Sequence, residues 1–192
     1  MLEAVKLCKA FDGRPVIQDF SIRMKPGSRV CLTGPSGSGK TTLLRLLMGL
    51  EKPDSGTLSM PRGTRFSAVF QENRLLEQLT AEANVALVSA APRQEITALL
   101  NALGLDAKSL SQPVSTFSGG MKRRAALCRA LLAPYDILCL DEPYKGLDEA
   151  LRAQVMRIVD EHTRGKTVVL VTHDLREAEG YELSQLSPLP PA

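Results

Sequence analysis

The 192-residue chain carries a formal net charge of +3, with 44% hydrophobic and 23% charged residues. That length suffices for one well-buried α/β core with a smaller subdomain and is too short for two full domains. The weak positive balance argues against a dedicated nucleic-acid binder, which is usually more basic with its charge clustered, so no nucleic-acid partner is expected.

The N-terminus, M-L-E-A-V-K-L-C-K-A-F, has charges among its apolar positions and does not read as a signal peptide. No apolar run approaches the ~18 residues of a membrane span, so if this protein serves a membrane, another chain crosses it. Leu2 to Cys8 reads as a strand, and Phe20, Ile22 and Met24 alternate with polar residues as a second, joined through the turn Asp12-Gly13-Arg14-Pro15. An antiparallel N-terminal sheet is the expectation. Phe11, at the end of the first strand, suits either packing or stacking on a base.

Val30, Cys31 and Leu32 form a short apolar run, and an apolar helical pattern starts at Thr42 with Leu43, Leu44, Leu46 and Leu47. Between them, Gly34-Pro35-Ser36-Gly37-Ser38-Gly39-Lys40-Thr41 spells G-x-x-x-x-G-K-[ST], a phosphate loop in its strand-loop-helix setting. The glycines let successive N–H groups face one anion, and the following helix adds its positive dipole end. Lys40 is placed to reach the β- and γ-phosphates, Thr41 to complete the shell of a Mg²⁺ ion, and Thr42 to add a hydroxyl at the α-phosphate.

Beyond a turn-rich break at Glu51 to Gly56, short strands are expected at Thr57 to Met60 and Phe66 to Phe70, the latter ending at Gln71. From Glu72 the pattern turns helical. Thr80 is a candidate cap, and Pro92 opens a helix whose Ile96, Leu99, Leu100 and Leu103 share a face before Gly104. Ser118-Gly119-Gly120 then starts an alanine- and leucine-rich helix, and reads either as an ordinary N-cap or as a second anion site. The basic residues Lys122, Arg123 and Arg124 oppose the dipole there unless something negative is near. Ile137 to Leu140 is a buried strand ending in Asp141 and Glu142, where an exposed acidic turn is the alternative to metal and base chemistry: Asp141 to hold Mg²⁺, Glu142 to take a proton from water. Asp148 caps a further helix, and the buried strand Thr167 to Val171 leads to His173 at its carboxyl end, where ligands bind in open α/β sheets. Asp174 and Glu177 have the spacing of a capping box. Cys8, Cys31, Cys128 and Cys139 are scattered without a C-x-x-C pair and read as buried free thiols in a reducing cytoplasm.

Together these residues resemble the ATP-binding cassette ATPases over nearly the whole chain. Gly34 to Thr41 matches the Walker A motif, Gln71 the Q-loop, Ser118-Gly119-Gly120 the signature core, Asp141 and Glu142 the Walker B end, Gly146-Leu147-Asp148 the D-loop, and His173 the switch histidine. The resemblance implies a phosphate-loop NTPase core with a mainly parallel sheet, an N-terminal antiparallel β subdomain and a helical insert. One domain over residues 1–192 follows, with core at 1–71 and 134–180, insert at 72–133 and a short Pro-rich tail at 181–192. It further implies that Phe11 stacks on adenine and that Glu142, His173 and Gln71 are catalytic. Thr41, Gln71 and Asp141 would hold Mg²⁺, with Gln71 linking that site to a partner. Ser118, Gly119 and Gly120 would bind the γ-phosphate of ATP held by a second cassette, so that two copies sandwich two ATP molecules head to tail.

Met121 departs from the family's usual glutamine, Lys145 from its usual serine, and the chain ends soon after His173. The expected function is ATP hydrolysis driving a membrane transporter from the cytoplasmic face of the inner membrane. Its importer type would be that of nitrate, sulfonate and bicarbonate cassettes. Transmembrane permease subunits and a substrate-binding protein would be its partners. The alternatives are a soluble non-transport cassette ATPase and a regulatory cassette that binds ATP with little turnover.

Overall fold

Strict alternation of apolar side chains builds the centre of this protein. In the computed structural model, which describes residues 1–186, strand β3 (Arg29–Thr33) sends Val30 and Leu32 into one hydrophobic cluster and Cys31 into another. Strands β6 (Ile137–Asp141) and β7 (Thr167–Val171) do the same, with Leu138, Leu140, Val168 and Leu170 on one face and Ile137, Cys139, Val169 and Val171 on the other. A sheet buried on both faces needs apolar residues at every position, which is why these segments read as continuous runs. With β5 (Phe66–Val69) and β8 (Glu182–Gln185) they make a five-stranded parallel sheet in the order β5-β6-β7-β3-β8.

On one face lies α1 (Lys40–Leu47), whose Leu43, Leu44, Leu46 and Leu47 are fully buried. An antiparallel sheet of β1 (Leu2–Phe11), β2 (Arg14–Met24) and β4 (Ser55–Ser59), ordered β2-β1-β4, closes the same cluster with Leu2, Leu7, Ile17 and Met24. The antiparallel expectation holds, although β1 and β2 run longer than their apolar patterns. Register shifts interrupt their pairing between Ala4 and Ala10, so the alternation on which sequence patterning relies is broken there.

The other face is covered by helices α2 (Ala81–Ala86), α3 (Arg93–Ala102), α4 (Ala107–Leu110), α5 (Gly119–Leu132) and α6 (Glu149–His162). Thr80, Asp106, Ser118 and Asp148 cap α2, α4, α5 and α6 with side-chain oxygens, as proposed for Thr80, Ser118 and Asp148. Three cysteines, Cys31, Cys128 and Cys139, are buried free thiols, and Cys8 is half-buried.

Two expectations need correction. Tyr181 and the residues after it are not simply a tail: β8 adds to the parallel sheet beside β3, with Leu183 opposite Cys31. Glu182-Leu183-Ser184-Gln185 is mostly polar and exposed, so it carries no strand pattern. Asp174 and Glu177 do not form a capping box, because the Thr172 hydroxyl intervenes: it accepts from the Asp174 N–H (3.1 Å) and donates to Glu177 (2.6 Å). The Pro-rich residues 187–192 lie outside the described residues. Among the described residues no helix is long and apolar enough to cross a membrane.

Candidate active site at the carboxyl ends of the strands

The loop from Gly34 to Gly39 joins β3 to α1 and demands glycine at both ends. A Cβ on Gly39 (φ 88°) would lie 2.8 Å from the Val16 carbonyl and from Ile17 Cδ1, and one on Gly34 (φ 150°) would lie 2.7 Å from the Leu186 carbonyl. Helix α1 starts at Lys40, two residues before the apolar pattern. It begins with neither a side-chain cap nor an acidic residue in its first turn, so its leading N–H groups remain available to an anion. The Lys40 ammonium is held over the loop by the carbonyls of Gly34 and Pro35, each at 2.8 Å, and a third donor remains. Ser36, Gly37, Gly39, Lys40, Thr41 and Thr42 line a cavity of about 610 Å³. Ser38 is buried instead, its hydroxyl without a partner.

Across the cavity stand Gln71, Glu142, Lys145 and His173. The Thr41 hydroxyl donates to Asp141 Oδ2 at 2.7 Å, and Gln71 Nε2 donates to Thr41 Oγ1 at 3.4 Å. Asp141 is fully buried at the end of β6, and its Oδ1 has no partner. Burial pushes its pKa above the usual carboxylate range, opposed by the Thr41 hydrogen bond. Glu142, next along, sits in the left-handed region (φ 52°), its N–H held by the Val171 carbonyl at 2.9 Å. Strain of that kind at a non-glycine residue marks a side chain whose aim matters. Its carboxylate meets His173 Nδ1 at 2.9 Å, and that hydrogen bond raises the histidine's pKa. The exposed-turn alternative for Asp141 and Glu142 fails, since both are buried.

Two residue groups behave differently from their sequence appearance. Lys122, Arg123 and Arg124, which oppose the dipole of α5, are each taken up by groups of this chain. Lys122 pairs with Glu77 at 2.8 Å, Arg123 donates to the carbonyls of Phe70 and Gln71, and Arg124 to those of Leu103 and Gly104. Arg129 likewise donates to the carbonyls of Asn73 and Arg74. Arginines of α5 therefore staple the Gln71 loop, a role with no local sequence signal because both partners are backbone atoms more than fifty positions away. Phe11 is 44% exposed, with the Lys9 ammonium 5.2 Å from its ring centroid, and does not line the cavity, to which β2 contributes Val16 instead. Ser118 and Gly119 are exposed, Gly120 is half-buried, and none of them lines the cavity. A second cavity of about 450 Å³ lies at the opposite edge of the sheet, by the amino ends of β6 and β7, and collects none of these residues.

The comparisons with known proteins agree with this arrangement. The family model described as ABC transporter matches residues 17–145. The aliphatic sulfonates import ATP-binding protein SsuB 1 of Streptomyces avermitilis is 42% identical, over 90% of this chain and 66% of that protein. The Fe(3+) ions import ATP-binding protein FbpC of Pseudomonas fluorescens is 38% identical, over 92% and 55%. The thiamine import ATP-binding protein ThiQ of Yersinia pestis is 36% identical, over 93% and 82%. The chain thus spans roughly half to four-fifths of the length of these relatives. A solved dimeric structure of a post-hydrolysis state of the ATP-binding cassette MJ0796, bound to ADP and Pi, superposes with a TM-score of 0.85 at 26% identity, over 97% of this chain and 94% of that one. A phosphate loop facing a buried carboxylate pair across a cavity at one edge of a parallel sheet, and a family match over most of the chain, lead to one conclusion: this chain belongs to the ABC transporter family.

Proposed function

We propose that this chain hydrolyses ATP as one half of a head-to-tail pair of cassettes and so drives an importer whose permease subunits cross the membrane, with the cassettes at its cytoplasmic face. A substrate-binding protein completes the assembly. The relatives named above are called sulfonate, Fe(3+) and thiamine importers, at similar identity to this chain, so substrate choice is assigned to the other subunits.

One observation carries the paired arrangement. Gly119 and Gly120 have ordinary backbone angles, and a Cβ on Gly119 would meet nothing within 4 Å while one on Gly120 would make only ordinary contacts, 3.6 Å and beyond. Glycine is a poor helix former, and neither position needs it for the fold. Two bare backbone positions behind an exposed serine at a helix start suit the close approach of an anion from outside the chain. Met121 does not disturb this, since its side chain packs on the hydrophobic cluster while its N–H donates to Ser118 Oγ.

Within one chain, the loop N–H groups and Lys40 bind the phosphates of ATP, and Glu142 takes the proton of a water that attacks the γ-phosphorus, releasing ADP and phosphate. His173 donates through Nδ1 to that carboxylate, because an ionised carboxylate only accepts, and so holds its orientation. The partnerless buried Asp141 Oδ1 beside the Thr41 hydroxyl suits a hard divalent cation such as Mg²⁺, with Gln71 at its edge; the ion would neutralise charge on the phosphates.

The test is assembly. Glu142→Gln should form a dimer in ATP and not in ADP, read by size-exclusion chromatography with light scattering, and adding Ser118→Arg should abolish it. A Glu142→Gln protein that stays monomeric in saturating ATP contradicts self-pairing.

A further inference from the structure

Helix α6 reaches the segment that follows β7 through Arg152. Arg152, one turn into α6, donates to Asp174 Oδ2 at 3.1 Å and lies 3.9 Å from Glu177 Oε1. Glu177 is 7% exposed and is fixed from the other side by the buried Thr172 hydroxyl at 2.6 Å. His173 sits between Thr172 and Asp174. Its own side chain is 70% exposed and makes one hydrogen bond, to Glu142. With most of the imidazole exposed, its position depends chiefly on the backbone of residues 172–177. That backbone is tied down by Arg152 and Arg176 at Asp174, by Thr172 at Glu177, and by Arg152 near Glu177. Of the two arginines, Arg176 belongs to the same turn and is largely exposed, whereas Arg152 comes from a different element.

We infer that Arg152 is a positioning residue: by holding Asp174 and the buried Glu177 from the first turn of α6, it keeps His173 aimed at Glu142. The residue directly preceding α6 is Asp148, whose carbonyl accepts from the Arg152 N–H at 2.8 Å, so the segment Gly146-Leu147-Asp148 and the histidine share one rigid connection. An exposed ion pair contributes little, but one that closes on a buried carboxylate is costly to break. The inference relies on the hydrolytic reading only for its kinetic consequence.

Two measurements on the full chain test it. The chain contains two histidines, so the His173 ring proton can be followed by NMR against pH with His162 as internal reference. Charged groups acting on His173 are Glu142, Glu177 and Lys145. Arg152→Met should lower the His173 titration midpoint, because the hydrogen bond to Glu142 that raises it is loosened. Removing a nearby positive charge without moving the ring would raise the midpoint, so the sign separates lost geometry from lost charge. In steady-state ATP hydrolysis the same variant should lower kcat about tenfold with KM for ATP changed less than about twofold. Arg152→Lys should restore part of both effects, and Arg176→Met, whose ties stay within one turn, should change both less than Arg152→Met does. An unchanged or raised midpoint in Arg152→Met overturns the inference, as does an equal effect from Arg176→Met. Should Arg152→Met not fold, Arg152→Gln, whose shorter neutral side chain cannot serve both Asp174 and Glu177, replaces it: a lowered midpoint supports the inference and an unchanged or raised one overturns it. A wild type without turnover would count against the proposed function alone, since the NMR comparison needs no nucleotide.

Discussion

Thr41 and Asp141, one hundred positions apart in sequence, are joined by a 2.7 Å hydrogen bond that closes the phosphate loop onto the end of β6. The bond leaves the second oxygen of Asp141 buried and partnerless, an arrangement that costs stability unless a cation is bound. Asp141 has a raised pKa in the fold, so the native state holds its proton more tightly than the unfolded chain. Its contribution therefore favours folding at low pH and is lost as pH rises from the ordinary value near 4 through its own raised value. Asp141→Asn should accordingly melt above wild type at neutral pH without nucleotide, whereas ATP with Mg²⁺ should raise the melting temperature of wild type more than that of the variant. Calorimetric melts of both proteins, with and without ATP and Mg²⁺, check this.

Lys40→Ala removes a charge that the loop carbonyls of Gly34 and Pro35 hold in the cavity. A charge-assisted hydrogen bond contributes about 1.5–3 kcal/mol, so ATP affinity should fall roughly 10- to 100-fold. Equal affinity in the two proteins by titration calorimetry would contradict the placement of phosphate on this loop.

His173 should titrate above the ordinary value of about 6.5, and Glu142→Gln should bring its midpoint down. A raised folded pKa means that the pairing supports the fold fully below 6.5 and stops doing so as pH rises through the raised value. Since the ring is mostly exposed, the effect on stability is small and NMR is the better measure. A midpoint that Glu142→Gln leaves in place would contradict the 2.9 Å hydrogen bond.

Leu44 is fully buried between α1 and both sheets, and Leu44→Ala should destabilise the protein by about 2–5 kcal/mol. Because α1 carries Lys40 and Thr41 at its start, the folded fraction should still bind ATP. Urea unfolding followed by nucleotide titration separates the two effects.

The parts of the site that lie in continuous sequence were legible: Gly34 to Thr41, Asp141 with Glu142, and His173 each follow a buried strand, and buried strands announce themselves by runs such as Ile137 to Leu140. Parallel strands then bring all three to one edge, as expected for an open α/β sheet. What stayed hidden depends on contacts with no local pattern. Arg123 read only as a basic first-turn residue opposing the dipole and Arg129 gave no signal at all, because their partners are the backbone carbonyls of residues 70–74. Strand β8 was invisible because an exposed edge strand needs no apolar alternation. Asp174 and Glu177 have capping-box spacing, yet Thr172 and Arg152 take up their oxygens instead.

The most direct test of the whole account is phosphate release from ATP by wild type and Glu142→Gln, measured with ATP affinity on the same preparations. Wild type should turn ATP over only with a divalent cation, and Glu142→Gln should bind ATP as tightly while releasing phosphate about 10²-fold more slowly or less. A wild type that binds ATP without turning it over, or a Glu142→Gln variant that matches wild type, would contradict the assignment of Glu142 as the base of an ATP-hydrolysing cassette.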